Sequence, residues 1–377
     1  MKFSVKQTDG LARCGEIVTD HGVVHTPVFM PVGTQGTVKA IEPRELEEIG
    51  TQIVLGNTYH LYLRPGIEIL REAGGLHKFM GWSKPILTDS GGYQIFSLSE
   101  LRKIDNGGVG FRSHIDGSSH YFTPENVTTI QRAIGSDIMM VLDECPPFPC
   151  TPDYAERSSE LTLGWAERCR QEFLISGELY DHSQAIFAIV QGSIYPEIRE
   201  RSASRLRELD FHGYGIGGLA VGEPVEQMYD IVLMCNELLP PEKPRYLMGV
   251  GTPVNLLEAI ERGVDMFDCV LPTRNGRNAM LFTRNGSVNI TNAQFKDDFL
   301  PVDGLCCCYA CRNFSRAYLR HLFQAKEILG LQLATVHNLH YYQWLMREAR
   351  LSIEEQRFSQ WKQDQVSAMH QSINVFS

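Results

Sequence analysis

One pattern constrains the fold of this chain more than any other. A short apolar run stops at glycine or a polar residue, and in most cases a helical stretch follows. The pattern recurs eight times, with runs at 28–32, 53–55, 86–87, 138–142, 186–190, 214–216, 246–248 and 266–267. Each run is short and lacks clean polar alternation, which suits parallel strands buried on both faces. Helical stretches are expected at 43–49, 61–73, 124–134, 153–173, 196–209, 224–238 and 253–262. Several open on Pro after Thr or Glu, as in Thr123-Pro124, Thr252-Pro253 and Glu223-Pro224, a favoured helix entry. Eight β-then-α units predict an α/β fold, a (β/α)8 TIM barrel. A doubly wound open sheet is the alternative, disfavoured because no Gly-rich phosphate loop follows the first strand. Turn signals at Thr8-Asp9-Gly10 and Asp20-His21-Gly22 predict that residues 1–27 form antiparallel strands capping the barrel. Residues 94–121, Gly-rich around Asp105-Asn106-Gly107-Gly108, read as a long loop or hairpin.

In such a barrel, active sites lie where strands end at the C-terminal face. Asp89, Asp143, Gln191, Gly218, Met248-Gly249 and Asp268 fall there. Three carboxylates around one mouth are hard to explain as core, because unpaired buried charge is costly. Asp268 ends the short apolar run that begins the stretch MFDCVLPTRNGR (266–277), and Arg274 and Arg277 follow. A carboxylate beside paired arginines suits an acid that reacts near a phosphate, since guanidinium donors match phosphate oxygens. A strand-end Asp salt-bridged to its own loop is the bland alternative.

The N-terminus is polar, and pure apolar runs reach only about six residues, too short for a membrane span. A cytoplasmic protein is expected. The net charge of −10 argues against indiscriminate nucleic-acid binding. Residues 270–326 depart from it, with eight Lys/Arg against three Asp. Such a local basic surface on an acidic body suits selective RNA binding. Four of the ten cysteines crowd into 306–311, a spacing that reads as a metal site. Alternate residues of a turn favour Cys306, Cys308 and Cys311, with Cys307 as a competitor. Spacing gives His337, on a helix expected to begin near Asn338, only a modest preference as the fourth ligand; His321 and His340 are close competitors, and a histidine packed into the core is the bland alternative. Four protein ligands make a closed, structural zinc site.

Taken together, ILTDSGGYQIFSL (86–98), VLDECPP (141–147), IVQGS (189–193), GIGGLAVGEP (215–224), RYLMGVGTP (245–253), MFDCVLPTRN (266–275), CCCYACRNFSRAYLRHL (306–322) and TVHNLHYYQ (335–343) resemble the bacterial tRNA-guanine transglycosylase (queuine tRNA-ribosyltransferase) family. The resemblance spans about residues 28–345. It implies a (β/α)8 barrel over 28–277 and roughly 340–377, with a zinc-binding subdomain inserted at 278–339. It also implies a pentosyltransferase. The wobble guanine of GUN-anticodon tRNAs (Asp, Asn, His, Tyr) is exchanged for 7-aminomethyl-7-deazaguanine, a step in queuosine biosynthesis.

By the same resemblance Asp268 is the nucleophile, forming a covalent ribosyl intermediate, and Asp89 the general acid/base. Asp143, Gln191 and the Gly218 backbone read the base, and Tyr93 and Met248 sandwich it. Ser90, Gly91, Gly92, Leu219 and Val221 complete the substrate-binding set. Val221 implies the small aminomethyl base over bulkier queuine. Gly249, Val250, Gly251, Thr252, Pro253, Val254, Asn255, Thr273, Arg274, Asn275, Gly276 and Arg277 are the RNA-contacting segments, with Arg312, Arg316 and Arg320 adding basic surface. One structural zinc per chain is held by Cys306, Cys308, Cys311 and His337. A homodimer and no membrane partner are expected. Two departures stand out: Cys307, where relatives often carry an acid, and Asn275-Gly276, which predicts a mobile loop. A non-catalytic tRNA-binding subunit of the same family is one alternative. A barrel glycosidase or nucleoside hydrolase with paired carboxylates is another.

Overall fold

The computed structural model describes residues 1–98 and 102–374. Strands β1 (Lys2–Asp9), β2 (Ala12–Thr19) and β3 (Gly22–Thr26) form an antiparallel sheet. The barrel begins with β4 (Val28–Met30), β5 (Val54–Gly56) and β6 (Ile86–Thr88). A second antiparallel sheet follows, of β7 (Arg102–Asp105), β8 (Gly108–Arg112) and β9 (Ser119–Phe122). The barrel then resumes with β10 (Ile138–Met140), β11 (Ala185–Val190), β12 (Gly213–Ile216), β13 (Arg245–Leu247) and β14 (Met266–Asp268). β15 (Met280–Thr283) and β16 (Gly286–Asn289) make a separate hairpin.

The eight barrel strands are parallel and follow one another in chain order. The Val32–Leu55 bridge closes the ring, with the Gly33 N–H donating to Leu55 O at 2.6 Å. All eight apolar runs of the sequence are these strands, displaced by one or two residues. Their side chains are buried throughout, as in Ala185–Val190, so periodicity alone could not fix their ends. The Thr-Pro entries behave as expected. The Thr123 hydroxyl accepts from Asn126 N at 3.2 Å and the Asn126 carbonyl from Thr123 N at 2.8 Å, opening Pro124–Ile134.

Three expectations change. The helix expected at 61–73 is two, Thr58–Leu63 and Ile67–Glu72. Pro65 has no N–H to continue the first, and Gly66 turns at φ 96°. The segment read as loop or hairpin holds the helix Gly92–Leu98 and the β7–β9 sheet; its residues 99–101 lie outside the described residues, as do 375–377. The helix expected near Asn338 runs over Ile328–Glu354.

That long helix joins two cores. Leu333 and Ala334 belong to a small cluster with Leu281, Ile290, Leu319 and Leu322, while Leu339, Tyr342, Leu345 and Met346 belong to the barrel's. Between them Asn338, fully buried, donates to Pro272 O and Met280 O and accepts from Phe282 N. No helix among the described residues is long and apolar enough to cross a membrane.

The N-terminal sheet is fastened to the base of the barrel by charge. Arg13 on β2 donates Nε and Nη2 to Asp265 at 2.9 and 2.5 Å, and Nη1 to Pro241 O at 2.6 Å. Both side chains are almost fully buried, at 5% and 1% exposure. Removing one partner leaves the other charge enclosed and unmatched. Arg13→Met is expected to cost about 3–5 kcal/mol in urea unfolding, and adding Asp265→Asn to recover part of that loss.

Candidate active site and metal centre

The C-terminal ends of the barrel strands surround a cavity of about 330 Å³, within the range that holds a small ligand. Asp89 follows β6, Asp143 β10, Gln191 β11, Gly218 β12 and Met248 β13, and Asp268 ends β14. All six line this one cavity, together with Ser90, Gly91, Gly92, Tyr93, Leu219 and Val221. Two carboxylates 179 positions apart in the chain, Asp89 and Asp268, thus open into the same space.

Asp268 is held by one oxygen. Oδ1 accepts from the Tyr246 hydroxyl at 2.5 Å and from Gly249 N at 2.8 Å. Among the described residues nothing donates to Oδ2, and the side chain stays partly open to the cavity. Burial raises its pKa, against the pull of those two donors. The result is a carboxylate fixed in orientation with a free oxygen, the requirement for an oxygen nucleophile.

Asp89 is gripped more fully. Oδ2 accepts from Asn57 Nδ2, and Oδ1 from Thr58 N at 2.9 Å and Gly91 N at 3.2 Å. Burial lifts it to about 6, with the neighbouring Asp268 charge adding to the rise. A carboxyl tuned to that value can give and take a proton near neutrality. Asn57 and Tyr246, both lining the cavity, were missed by the sequence reading. Asn57 lies just past β5, so the strand-end rule would have found it. Tyr246 lies within a strand and gave no signal.

The third carboxylate has a different set of partners. Asp143 Oδ1 accepts from Ser90 Oγ at 3.2 Å and Oδ2 from Gln191 Nε2 at 2.8 Å, and burial lifts it to about 6. Gln191 is fully buried and, among the described residues, its Oε1 has no partner. Gly218 turns at φ 64°, and a Cβ there would meet Gln191 Oε1 at 2.3 Å, so only glycine fits. Asp143, the Gln191 amide and the Gly218 backbone offer acceptors and donors suited to the edge of a purine-like base. Tyr93, 57% exposed, and Met248 line the same cavity. Glu223 holds the turn bearing Val221 by accepting from Ala220 N and, at 3.0 Å, from Val221 N.

The arginine segment differs from expectation. Residues Leu271–Arg277 form a short helix, which sets Arg274 and Arg277 on one face. Gly276 is buried, and a Cβ there would lie 3.0 Å from Ala334 O, so Asn275-Gly276 is a packing contact and no mobile loop. Of the twelve residues in the two RNA segments, Arg274, Thr252 and Gly249 are exposed. Val254, Asn255, Asn275 and Arg277 are half-buried; Val250, Gly251, Pro253, Thr273 and Gly276 are buried and can only shape the surface. Arg316 is committed to Asp298 at 2.9 Å, and Arg320 to backbone oxygens of Thr291 and Asn292, which leaves Arg312 as the exposed cation of that trio.

Cys306, Cys308, Cys311 and His337 converge, with their ligand atoms all within 4.8 Å of one another. His337 Nδ1 lies 3.3 Å from Cys311 Sγ, 3.5 Å from Cys308 Sγ and 3.9 Å from Cys306 Sγ. A tetrahedral ion with ordinary sulfur and nitrogen bond lengths would set these distances at about 3.5 Å. His337 Nε2 faces Phe282 O at 2.7 Å, a contact that fixes the ring and leaves Nδ1 for the metal. These residues fit a closed metal site. Cys307 lies outside the set, exposed, with Sγ 3.6 Å from His340 Nε2.

A barrel mouth with one fixed carboxylate, a second raised toward neutrality and a polar edge beside them suits a glycosyl-transferring enzyme. The chain matches the family model described as queuine tRNA-ribosyltransferase over residues 8–371, and it belongs to that family of pentosyltransferases. It is 54% identical over 364 residues to the queuine tRNA-ribosyltransferase of Desulforamulus reducens, covering 97% of each chain. It is 52% identical over 373 residues to that of Thermodesulfovibrio yellowstonii, covering 99% of this chain and 96% of the relative. Against that of Thermoanaerobacter pseudethanolicus it is 57% identical over 351 residues, covering 93% and 92%.

The metal centre can be tested without activity. The protein is expected to hold one transition-metal ion per chain by elemental analysis, and Cys308→Ala or His337→Ala none. If free ion exceeds its Kd a thousandfold, losing it removes about 4 kcal/mol of stability, readable in unfolding curves.

Proposed function

We propose that this protein exchanges the wobble guanine of GUN-anticodon tRNAs for 7-aminomethyl-7-deazaguanine. Asp268 Oδ2 attacks C1′ of the ribose, the glycosidic bond breaks, and its electron pair leaves with guanine. Asp89 supplies the proton that makes guanine neutral. The incoming base then returns a proton to Asp89 as its ring nitrogen displaces Asp268 and restores the glycosidic bond. One difficult displacement becomes two easier ones. Asp143 accepts from the N–H groups of the base, while the Gln191 amide and the Gly218 N–H donate to its carbonyl. Tyr93 and Met248 stack on the base, offsetting the stacking lost when it leaves the RNA. The observation that carries this reading is the opening of Asp89 and Asp268 into one cavity, with no hydrogen-bond donor to Asp268 Oδ2 among the described residues.

The rest of the chain fits around that reaction. Residues 1–27 cap the barrel of 28–277 and roughly 340–377, and 278–339 form a subdomain around one structural zinc held by Cys306, Cys308, Cys311 and His337. When bound, zinc supplies folding energy, since four protein ligands leave no position for substrate. Arg274, Arg277 and Arg312 offer charge to the tRNA backbone. The protein acts in the cytoplasm as a homodimer. A non-catalytic subunit would have no need of two poised carboxylates in one cavity.

Asp268→Asn is expected to lose base exchange by at least about a thousandfold and to lose the tRNA adduct that survives denaturation in the wild type. Retained exchange of labelled guanine would refute the assignment. Asp89, titrating at about 6, must carry its proton to release guanine and lack it to receive the new base. Guanine release therefore falls roughly tenfold per pH unit above that value and base capture falls below it; Asp89→Asn flattens both profiles.

Val221 narrows the choice of base. Exchange assays are expected to show good turnover of the aminomethyl base and poor turnover of queuine, with Val221→Gly narrowing the gap. Equal turnover of both bases by the wild type would end this reading.

A further inference from the structure

Behind the cavity lies a cation that the reaction above does not use. Arg199, on the helix Pro196–Glu208, is completely buried. Its Nη1 donates to Val190 O at 2.8 Å, its Nη2 to Gly217 O at 2.8 Å and its Nε to Ser193 O at 2.9 Å. Among the described residues no carboxylate forms an ion pair with it. A buried guanidinium held by peptide carbonyls is an expensive arrangement unless those peptides matter.

They are the peptides next to the base-reading groups. Val190 precedes Gln191, and Gly217 precedes Gly218. The turn after β11 is built around Arg199: a Cβ at Gly192 would meet its Cγ and its backbone N at 3.0 Å. A Cβ at Gly217 would come within 2.7 Å of Gln191 Nε2, so the amide packs directly on the Gly217–Gly218 peptide. Gly217 N donates to Val190 O at 3.1 Å, so that carbonyl serves both strand ends. Gly218 lines the cavity, and among the described residues its N–H has no acceptor.

We propose that Arg199 is a positioning residue for base recognition: it clamps the ends of β11 and β12 in register and polarises the Gly218 N–H toward the carbonyl of the bound base. The peptide is a conjugated unit, so a cation on the oxygen of Gly217 makes the N–H of Gly218 a stronger donor. That donor also faces the electron density that reaches the base as the glycosidic bond breaks, where a preorganised dipole lowers the barrier. The proposal rests on the reading of Gln191 and Gly218 as contacts of the base.

The test compares two free bases with the full-length, metal-loaded protein. Guanine carries the carbonyl; 2-aminopurine keeps the bicyclic ring and the exocyclic amine but lacks the carbonyl and, with it, the N1 proton offered to Asp143, a loss common to wild type and variants. Dissociation constants are measured for the wild type, Arg199→Lys and Arg199→Met, with unfolding curves to establish that each variant is folded. The wild type is expected to prefer guanine. Arg199→Met should weaken guanine about tenfold or more and 2-aminopurine less than about threefold, because only the former draws on the polarised donor. Arg199→Lys, which keeps the charge and loses the fork, should fall between. If Arg199→Met does not fold, Arg199→Lys decides alone, and a preference reduced by about threefold or more supports the proposal. Unchanged preference in the folded variants overturns it, as does equal weakening of both bases, the outcome of a merely structural role. A wild type that binds the two alike removes the carbonyl contact itself, and the reading of Gln191 and Gly218 falls with it. A wild type that discriminates while the variants retain its preference sinks only the role of Arg199.

Discussion

Desolvation of carboxylates governs both ends of this barrel, and the enclosing partners decide what each carboxylate becomes. At the base, burial raises Asp265 even though it faces the Arg13 guanidinium. Asp137 there accepts from Ile86 N at 2.8 Å and meets His21 and His77 at 2.8 and 3.2 Å, and these contacts outweigh burial to hold it well below the usual carboxylate range. At the mouth, the hydrogen-bond donors are neutral: Asn57 and Thr58 for Asp89, Tyr246 and Gly249 for Asp268, Ser90 and Gln191 for Asp143. Neutral donors orient a carboxylate without cancelling its charge, so burial wins and all three rise. The base thus sets its carboxylates against basic side chains and the mouth sets its own against neutral donors, with the same residue type at both.

The mouth pairs chemistry with recognition through the order of its strands. β14 and β6 present the two carboxylates proposed to react, and β10, β11 and β12 present the polar edge that suits a base. Arg199 binds the ends of β11 and β12 from behind, so the recognising side of the pocket is braced by a charge that the cavity never exposes.

Much of this was legible in the sequence, for a definite reason. Parallel strands buried on both faces have to be continuous apolar runs, and polar residues ending such runs have to face the mouth; that logic led to Asp89, Asp143, Gln191 and Asp268. The thiol ligands were legible because closely spaced cysteines can wrap one ion from a tight loop, whereas His337, 26 residues further on, stood out from His321 and His340 mainly through the family resemblance. The misses share another cause. Tyr246 hides within an apolar run whose interior looks like core. Leu271–Arg277 looks like a turn because Pro272 and Gly276 are poor helix formers, yet Gly276 is what lets it approach the long helix. The start of Ile328–Glu354 is masked because its first turns pack on the smaller core, not on the barrel.

The long helix has a consequence for how the two halves of the molecule share fortune. His337 lies five residues before Tyr342 on one rigid rod, and the Tyr342 hydroxyl donates to Gly251 O at 2.5 Å. Gly251 sits so close to Cys269 that a Cβ there would overlap it, and Cys269 follows Asp268. A shift of this rod, such as loss of the sulfur ligands would permit, therefore runs through two packed contacts to the immediate neighbour of Asp268.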